Sequence, residues 1–313
     1  MGTDILEYRK ETLTGYRCRI ASDRLRRGLS SLPWPREPVA FDCPFCPDRI
    51  GTETPTFSDG TRLIVGESTT FPNLFPFAEW HTVTVITRKH VVDRFSFREL
   101  RDAFSGQVAS LENVPGYPSI NWNYLSSAGA SLAHPHLQGM ADRQPTALVE
   151  RYLKEGSRYL SRTGRCYWTD LTSSERSSER YLFGDEICWF ANPVPLGDRE
   201  VRGVLPIRTV QDMEPYLDKL VDGILSVIEL YGRLGTRAFN AALFFDRQGP
   251  DTGFRAFCSV IARINPNEPS LSDSAFMERL HLEPVILTLP EELGQVFRAK
   301  SLSGGIPPGS CGD

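Results

Sequence analysis

The chain has 313 residues, with 35 Lys and Arg against 39 Asp and Glu, a formal net charge of −4, and 40% apolar residues. That length suits about two domains around a sizeable core, and the near-balanced charge argues against a protein that coats nucleic acid. No apolar run approaches the roughly 18–20 residues that span a bilayer. Met1–Leu6 lacks an apolar signal core, and Leu6 stands where a myristoylation motif needs Ser or Thr, so a soluble cytoplasmic protein is expected.

Taken in chain order, Tyr8–Arg27 is rich in Arg (Arg9, Arg17, Arg19, Arg24, Arg26 and Arg27), with a turn signal at Thr14-Gly15. Arg62–Glu67 and Thr82–Thr87 are apolar and β-branched, which predicts strands. Ser96-Phe97-Arg98-Glu99 is a capping box, and it predicts a helix to about Asn113, before the Pro115-Gly116 turn. Ile120–Tyr124 reads as a strand leading into a small-residue run and His134-Pro135-His136. Thr146–Arg162 is an amphipathic helix. Beyond it, Ile187–Phe190 and Val201–Leu205 read as strands. Val210–Leu234 has the apolar spacing of one helix face, with Pro215 tolerable only in the first turn. Phe239–Phe245 and Arg255–Ile264 read as strands again.

Both halves thus read strand–strand–helix–strand–strand, an internal duplication that suits an antiparallel α+β fold with helices packed on one side. The boundaries expected are 1–145 for the first repeat and 146–300 for the second. The Gly/Pro/Ser-rich residues 301–313 read as a disordered tail.

The chemistry-bearing residues concentrate before residue 140. In an extended His134-Pro135-His136-Leu137-Gln138, residues two apart share a face, so both imidazoles and Gln138 line one surface. Two incidental loop histidines are the competing reading. The small residues from Ser126 to Ser131, including Gly129, allow backbone amides to approach an anion as a phosphate-binding nest; a plain linker is the alternative. The seven cysteines (Cys18, Cys43, Cys46, Cys166, Cys188, Cys258, Cys311) are odd in number and scattered, unlike a disulfide framework. Cys43-Pro44-Phe45-Cys46 is a knuckle that lacks the following helix of a redox pair. A second C-x-x-C is absent, so a metal site would need histidines, His90 and His134 being the best candidates. Two buried thiols in a Pro-rich turn remain the other possibility.

At this point the pattern resembles a known family. Asn123-x5-Gly129-x-Ser131-x2-His134-Pro135-His136-x-Gln138 is similar to the active-site signature of the galactose-1-phosphate uridylyltransferase-like nucleotidyltransferases of the histidine-triad superfamily. Asn73-Leu74-Phe75-Pro76 is similar to that family's loop under the nucleoside, and Tyr8-Arg9…Thr14-Gly15 with the following arginines, among them Arg24, to its N-terminal nucleotide segment.

The resemblance implies two tandem histidine-triad-like repeats and a homodimer. It implies structural zinc on Cys43, Cys46, His90 and His134, and His136 as the nucleophile of a covalent nucleotidyl intermediate. Gln138 and Ser131 would then bind phosphoryl oxygens, while Asn73, Phe75, Asn123, Gly129 and Arg24 bind nucleotide. A neutral His136 needs one free ring nitrogen, so the other is expected to donate to a backbone carbonyl.

The second half departs from the pattern. Phe257-Cys258-Ser259-Val260-Ile261-Ala262-Arg263 has no histidine, and His281 alone follows Gln138. That repeat is expected to keep the fold without the catalytic face, with Arg263, Asn265 and Glu283 left as candidates for an acceptor pocket or for surface ion pairs. Three readings stand. The first is transfer of an NMP, UMP favoured, between a nucleotide sugar and a phosphorylated acceptor. The second is a dinucleotide or nucleotidyl-sulfate phosphorylase or hydrolase using the same histidine. The third is a non-catalytic, zinc-stabilised nucleotide-binding protein.

Overall fold

A computed structural model describes residues 6–22, 42–263, 274 and 276–303. Arg24, Arg26, Arg27, Asn265 and residues 304–313 lie outside the described residues. The chain opens with a hairpin, β1 (Glu7–Lys10) and β2 (Arg17–Ile20). A short helix, α1 (Ile50–Glu53), follows the cysteine knuckle. The first half continues with β3 (Leu63–Val65), β4 (Ser68–Pro72), β5 (Trp80–Val85), α2 (Phe97–Leu111), β6 (Tyr117–Tyr124) and β7 (His136–Asp142). Two helices, α3 (Ala147–Thr163) and α4 (Tyr167–Arg176), lead to the second half. This half contains β8 (Tyr181–Phe183), β9 (Cys188–Ala191), β10 (Val201–Val204), α5 (Leu217–Arg233), β11 (Phe239–Phe244) and β12 (Phe257–Ala262). The last elements are β13 (Val285–Ile286) and α6 (Pro290–Ser303).

The duplication is present with one strand more per half than the sequence pattern shows, three strands preceding each long helix. The additional strands β4 and β8 escape a reading by apolar alternation because β4 is Ser-Thr-Thr-rich and β8 is three residues long. Pro215 lies in a short 3₁₀ turn just ahead of α5, where its missing N–H costs no helix bond. The amphipathic helix expected from Thr146 is α3.

The halves do not keep separate sheets. Ten strands form one antiparallel sheet in the order β3-β4-β5-β7-β6-β11-β12-β10-β9-β8, which repeats the same element sequence outward from its centre. The seam is β6 against β11, paired from Ser119–Phe244 to Tyr124–Phe239.

Helices α2 and α5 pack together on one face of this sheet, over Ile120, Trp122, Leu137, Leu243 and Val260. The other face of the second half is covered as well, which corrects the expectation of helices on one side only. There α3 and α4 bring Tyr152, Tyr167 and Trp168 onto Phe190, Phe254 and Phe257. The physical reason is that β9 and β10 are buried along their whole length, so apolar surface on both faces needs cover. In the first half the matching face carries Phe71, Val83 and Val85, against which Phe45 of the knuckle and Ile50 of α1 pack.

Two further boundaries differ from expectation. β1 and β2, read with the first repeat, form a sheet with β13 and pack through Cys18 and Ile20 on Val194 and Ile286 of the second half. Residues 301–303, read as part of a disordered tail, continue α6. No helix among the described residues is long and apolar enough to cross a membrane.

The capping box is formed as the sequence predicts. Ser96 Oγ accepts from the Glu99 amide at 3.2 Å, and Glu99 Oε2 accepts from the Ser96 amide at 2.8 Å. Glu99 Oε1 also accepts from Thr87 Oγ1 and Lys89 Nζ, each at 3.0 Å. Burial by itself would raise the Glu99 carboxyl, but the Ser96, Lys89 and Thr87 bonds outweigh it and bring the pKa down to about 2. A carboxylate depressed in the folded state stabilises above its unfolded value and loses that contribution as pH falls through the folded one. The thermal stability gap between the wild type and Glu99→Gln is therefore expected to be full at pH 6, to shrink below about 4.5, and to close near pH 2; melting curves across that range check it.

Candidate active site

The site is built on the face of the first half opposite α2 and α5, beside the knuckle and α1. Strand alternation puts His136 and Gln138 of β7, His81 of β5 and Asn121 and Asn123 of β6 on that face, while Leu137, Ile120 and Trp122 point to α2 and α5. His136 is buried, and its Nδ1 lies 2.9 Å from the carbonyl oxygen of His134. That carbonyl can only accept, so Nδ1 carries the proton and Nε2 keeps its lone pair. Burial lowers the His136 pKa against the upward pull of this bond, so the ring is neutral at physiological pH. Nε2 has no protein partner among the described residues and, unlike Nε2 of His90, is not sealed from solvent. The arrangement has the elements of a nucleophile: a neutral imidazole, a fixed tautomer and an open lone pair.

His134 precedes β7 and is fully buried. Its Nδ1 lies 3.8 Å from both Cys43 Sγ and Cys46 Sγ, and His90 Nδ1 lies 3.5 Å from Cys46 Sγ. These four ligand atoms all fall within 4.8 Å of one another. These S···N separations fall within about 0.3 Å of the roughly 3.5 Å edge of a tetrahedron with Zn–S of about 2.3 Å and Zn–N of about 2.0 Å. Nε2 of His134 donates to the Thr87 carbonyl at 2.8 Å, the outer bond that commonly orients a metal-bound imidazole. Burial and the neighbouring Cys43 push the Cys46 thiol up, so a thiolate pair here calls for a cation. The residues fit zinc, and four protein ligands would leave it no open position, the mark of a structural site. Phe45, inside the knuckle, stands 5.3 Å from the His136 ring in an edge-to-face contact, so the knuckle also packs the nucleophile.

The remaining sequence-derived candidates divide. Asn123 accepts on Oδ1 from Asn240 Nδ2 of β11 at 2.7 Å. Asn240 Nδ2 also donates to the Ala128 carbonyl at 2.8 Å, and Arg263 donates to Asn240 Oδ1 at 2.8 Å. Arg263, a candidate for the acceptor pocket, thus acts from the second half on the first through one asparagine. Glu283, another, pairs with Arg17 and Arg19 of β2 and is removed from that role. Gly129 ends a 3₁₀ turn with φ +87°. The amides of Ala128, Gly129 and Ala130 all bond to carbonyls of Leu125 or Ser126, so these three are spent on the turn and unavailable as phosphate donors. Ser131 lies exposed on the bend that follows, making no side-chain bond among the described residues. Asn73 Oδ1 caps the Phe75 amide at 2.9 Å, and Leu74, Phe75 and Phe77 are largely exposed at the tip of this loop.

Sequence reasoning missed His81 and Asn240. His81 is 6% exposed and touches Gln138, Asn73 and the Phe77 amide. The available signal was that His81 is one of only five histidines and immediately precedes a predicted strand. Asn240 had no signal, because its role exists only through the β6–β11 seam.

Removing the Asn240 amide with Asn240→Ala is expected to leave zinc content unchanged and to weaken nucleotide affinity roughly three- to tenfold, the effect of about 1 kcal/mol for one hydrogen bond; isothermal titration with elemental analysis checks both. Cys43→Ser is expected to lose zinc and several degrees of melting temperature, read by elemental analysis and calorimetry on the same sample.

No family model matches the chain. An uncharacterized protein of Archaeoglobus fulgidus is 28% identical over 306 residues, covering 94% of this chain and 92% of that one. Among solved structures, an ADP-glucose phosphorylase from Arabidopsis thaliana with bound ADP-glucose superposes with a TM-score of 0.73 at 15% identity, over 94% of this chain and 99% of that one. A GALT-like protein from the same plant gives 0.72 at 16% identity, covering 93% and 98%. A uridylyltransferase gives 0.70 at 16% identity, covering 96% and 100%. The chain has the fold shared by these ADP-glucose phosphorylase, GALT-like and uridylyltransferase structures.

Proposed function

We propose that the chain is a nucleotidyltransferase that carries a nucleoside monophosphate on His136. The observation that carries this reading is the His136 Nδ1–H bond to the His134 carbonyl, which leaves Nε2 as an open, neutral nucleophile. Nε2 attacks the α-phosphorus of a nucleoside diphosphate sugar. The bond from that phosphorus to the bridging oxygen breaks, and the sugar phosphate leaves with the electron pair, needing no proton from an acid. The oxygen of a phosphorylated acceptor then attacks the same phosphorus, and the P–N bond returns its electrons to Nε2. Nδ1–H stays on the His134 carbonyl throughout and steadies the positive charge that the ring gains on attack.

In this reading Gln138 donates from its amide to the non-bridging oxygens, and Ser131 supplies a second donor from the bend. Asn73 and Phe75 carry the nucleoside, and Asn123 and Gly129 shape the phosphate wall, with Arg24 as a further nucleotide contact. Cys43, Cys46, His90 and His134 would hold zinc, which would fix the knuckle, while Phe45 packs on the nucleophile from within it. Uridine is the first donor to test. The solved phosphorylase with bound ADP-glucose makes adenosine the second.

One observation favours inorganic phosphate as the acceptor. Glu283 and Arg263, the described side chains expected to grip a larger acceptor, are engaged with Arg17, Arg19 and Asn240. Phosphorolysis of a nucleotide sugar follows from the same intermediate.

Incubation with α-labelled UDP-glucose or ADP-glucose is expected to label the protein on His136, and His136→Asn is expected to bind nucleotide without labelling. A chase with inorganic phosphate releases a nucleoside diphosphate if phosphate is the acceptor, whereas a chase with a hexose 1-phosphate releases a nucleotide sugar if it is not. A wild-type protein that binds nucleotide and never labels would leave the non-catalytic reading in its place.

A further inference from the structure

His81 is a buried histidine on the site face that plays no part in the chemistry above. Across the sheet Val83 is the partner of Gln138, so His81 lies two residues along β5 on the same side. The backbone amide of Phe77 donates to its Nδ1 at 3.3 Å. Nδ1 therefore carries a lone pair, and in the neutral ring the proton sits on Nε2. Burial lowers the His81 pKa more than the Gln138 bond and Asp142 raise it, which keeps the ring neutral. Nε2 lies 3.0 Å from Gln138 Oε1, so the ring donates and the amide oxygen accepts. Asn73 Nδ2 also stands 3.1 Å from Nε2 and 3.5 Å from Nδ1. With the proton on Nε2, as the Phe77 bond to Nδ1 requires, the acceptor for that proton is Gln138 Oε1, because an amide NH₂ only donates.

A glutamine amide has two ends of nearly equal size, one accepting and one donating. Phosphoryl oxygens only accept, so the amide helps a phosphoryl group only if its NH₂ end is the one presented. Among the described residues no protein partner takes Gln138 Nε2, while Oε1 is held by His81. We propose that His81 is a positioning residue that fixes which end of the Gln138 amide meets the α-phosphoryl group. This rests on the reading of His136 as nucleotide carrier.

The ring is itself locked. A half-turn of the imidazole would break the Phe77 bond, and Phe77 is held near it by the Asn73 loop, whose amide donates to the His81 carbonyl at 2.8 Å. The edge-to-face contact with the Phe77 ring, at 4.3 Å, adds to the lock. One imidazole thus sets the phosphate donor and the loop assigned to the nucleoside together.

The test uses zinc-loaded full-length protein and the single-turnover rate of His136 labelling by whichever of UDP-glucose or ADP-glucose labels the wild type. His81→Phe and His81→Asn both lack a donor at the Nε2 position, and both are expected to slow labelling roughly tenfold at saturating donor, less than the 10²–10³ typical of losing a catalytic donor outright. KM is expected to change less than about threefold, since binding is not what the bond controls. His81→Gln, which places an amide nitrogen near the old Nε2, is expected to stay within about threefold of wild type. In a Gln138→Ala background, His81→Phe is expected to add less than about twofold, because the group it positions is gone. Wild-type rates in His81→Phe and His81→Asn overturn the proposal, as does an equal loss with and without Gln138. Failure of the wild type to label at all refutes the nucleotide-carrier reading instead, and the positioning role falls with it.

Discussion

The active face depends on one carbonyl group. The His134 oxygen takes the proton-bearing nitrogen of His136 at 2.9 Å, and with that bond the tautomer, the ring orientation and the open lone pair are all decided. The carbonyl is in turn held in place by its own residue. The His134 imidazole is fully buried, with one nitrogen at the knuckle thiols and the other on the Thr87 carbonyl. Thr87 also donates its hydroxyl to Glu99, which completes the capping box of α2 with Ser96. A helix cap, a metal-ligand set and a nucleophile thus form a chain of direct contacts. Each group in it is buried enough that leaving it unpaired would cost about 1–3 kcal/mol.

The second half shows what the same framework becomes without such a carbonyl and its histidines. Phe257 and Ser259 occupy the site-side face of β12, the counterpart of β7. The neighbouring position on β10 is Arg202, only 1% exposed. Its guanidinium binds Glu200 at 3.0 Å and the Tyr152 hydroxyl at 2.8 Å, and Glu11 of the N-terminal hairpin lies 3.5 Å away. Breaking such a buried pair by removing one partner leaves an uncompensated charge at a cost of about 3–5 kcal/mol. The face that is open for chemistry in one repeat is sealed in the other by α3, α4 and this ion cluster. Its contribution to the site passes instead through Arg263 and Asn240 to Asn123.

Much of this was legible in the sequence, for reasons that are local. The Ser96–Glu99 cap, the alternation of His136-Leu137-Gln138 and the Cys43–Cys46 spacing are short-range patterns with direct geometric meaning, and the structure forms each of them. His134, expected on the same face, lies ahead of β7 with its ring at the knuckle. The donation of His136 to a backbone carbonyl followed from the nucleophile role that the family resemblance implies. What escaped was set by pairing between distant segments. The fusion of two sheets into one, the placement of β1 and β2 on the second half, and the joining of His81 to Gln138 and Asn240 to Asn123 all depend on which strands become neighbours. Periodicity within a window carries no such information. The phosphate nest misled for a related reason: small residues permit exposed amides, and the turn they form uses those amides itself.

The β6–β11 seam has a consequence for how the molecule can be divided. Its six residue pairs lie at the middle of the sheet, between the two halves of the duplication. A polypeptide cut at Arg143-Gln144-Pro145, between β7 and α3, would leave each fragment with a long, unpaired central edge, the kind of edge that recruits another strand. The two pieces would serve as each other's natural cover, so nicking there amounts to making a heterodimer, and expressing one piece alone amounts to making an aggregate.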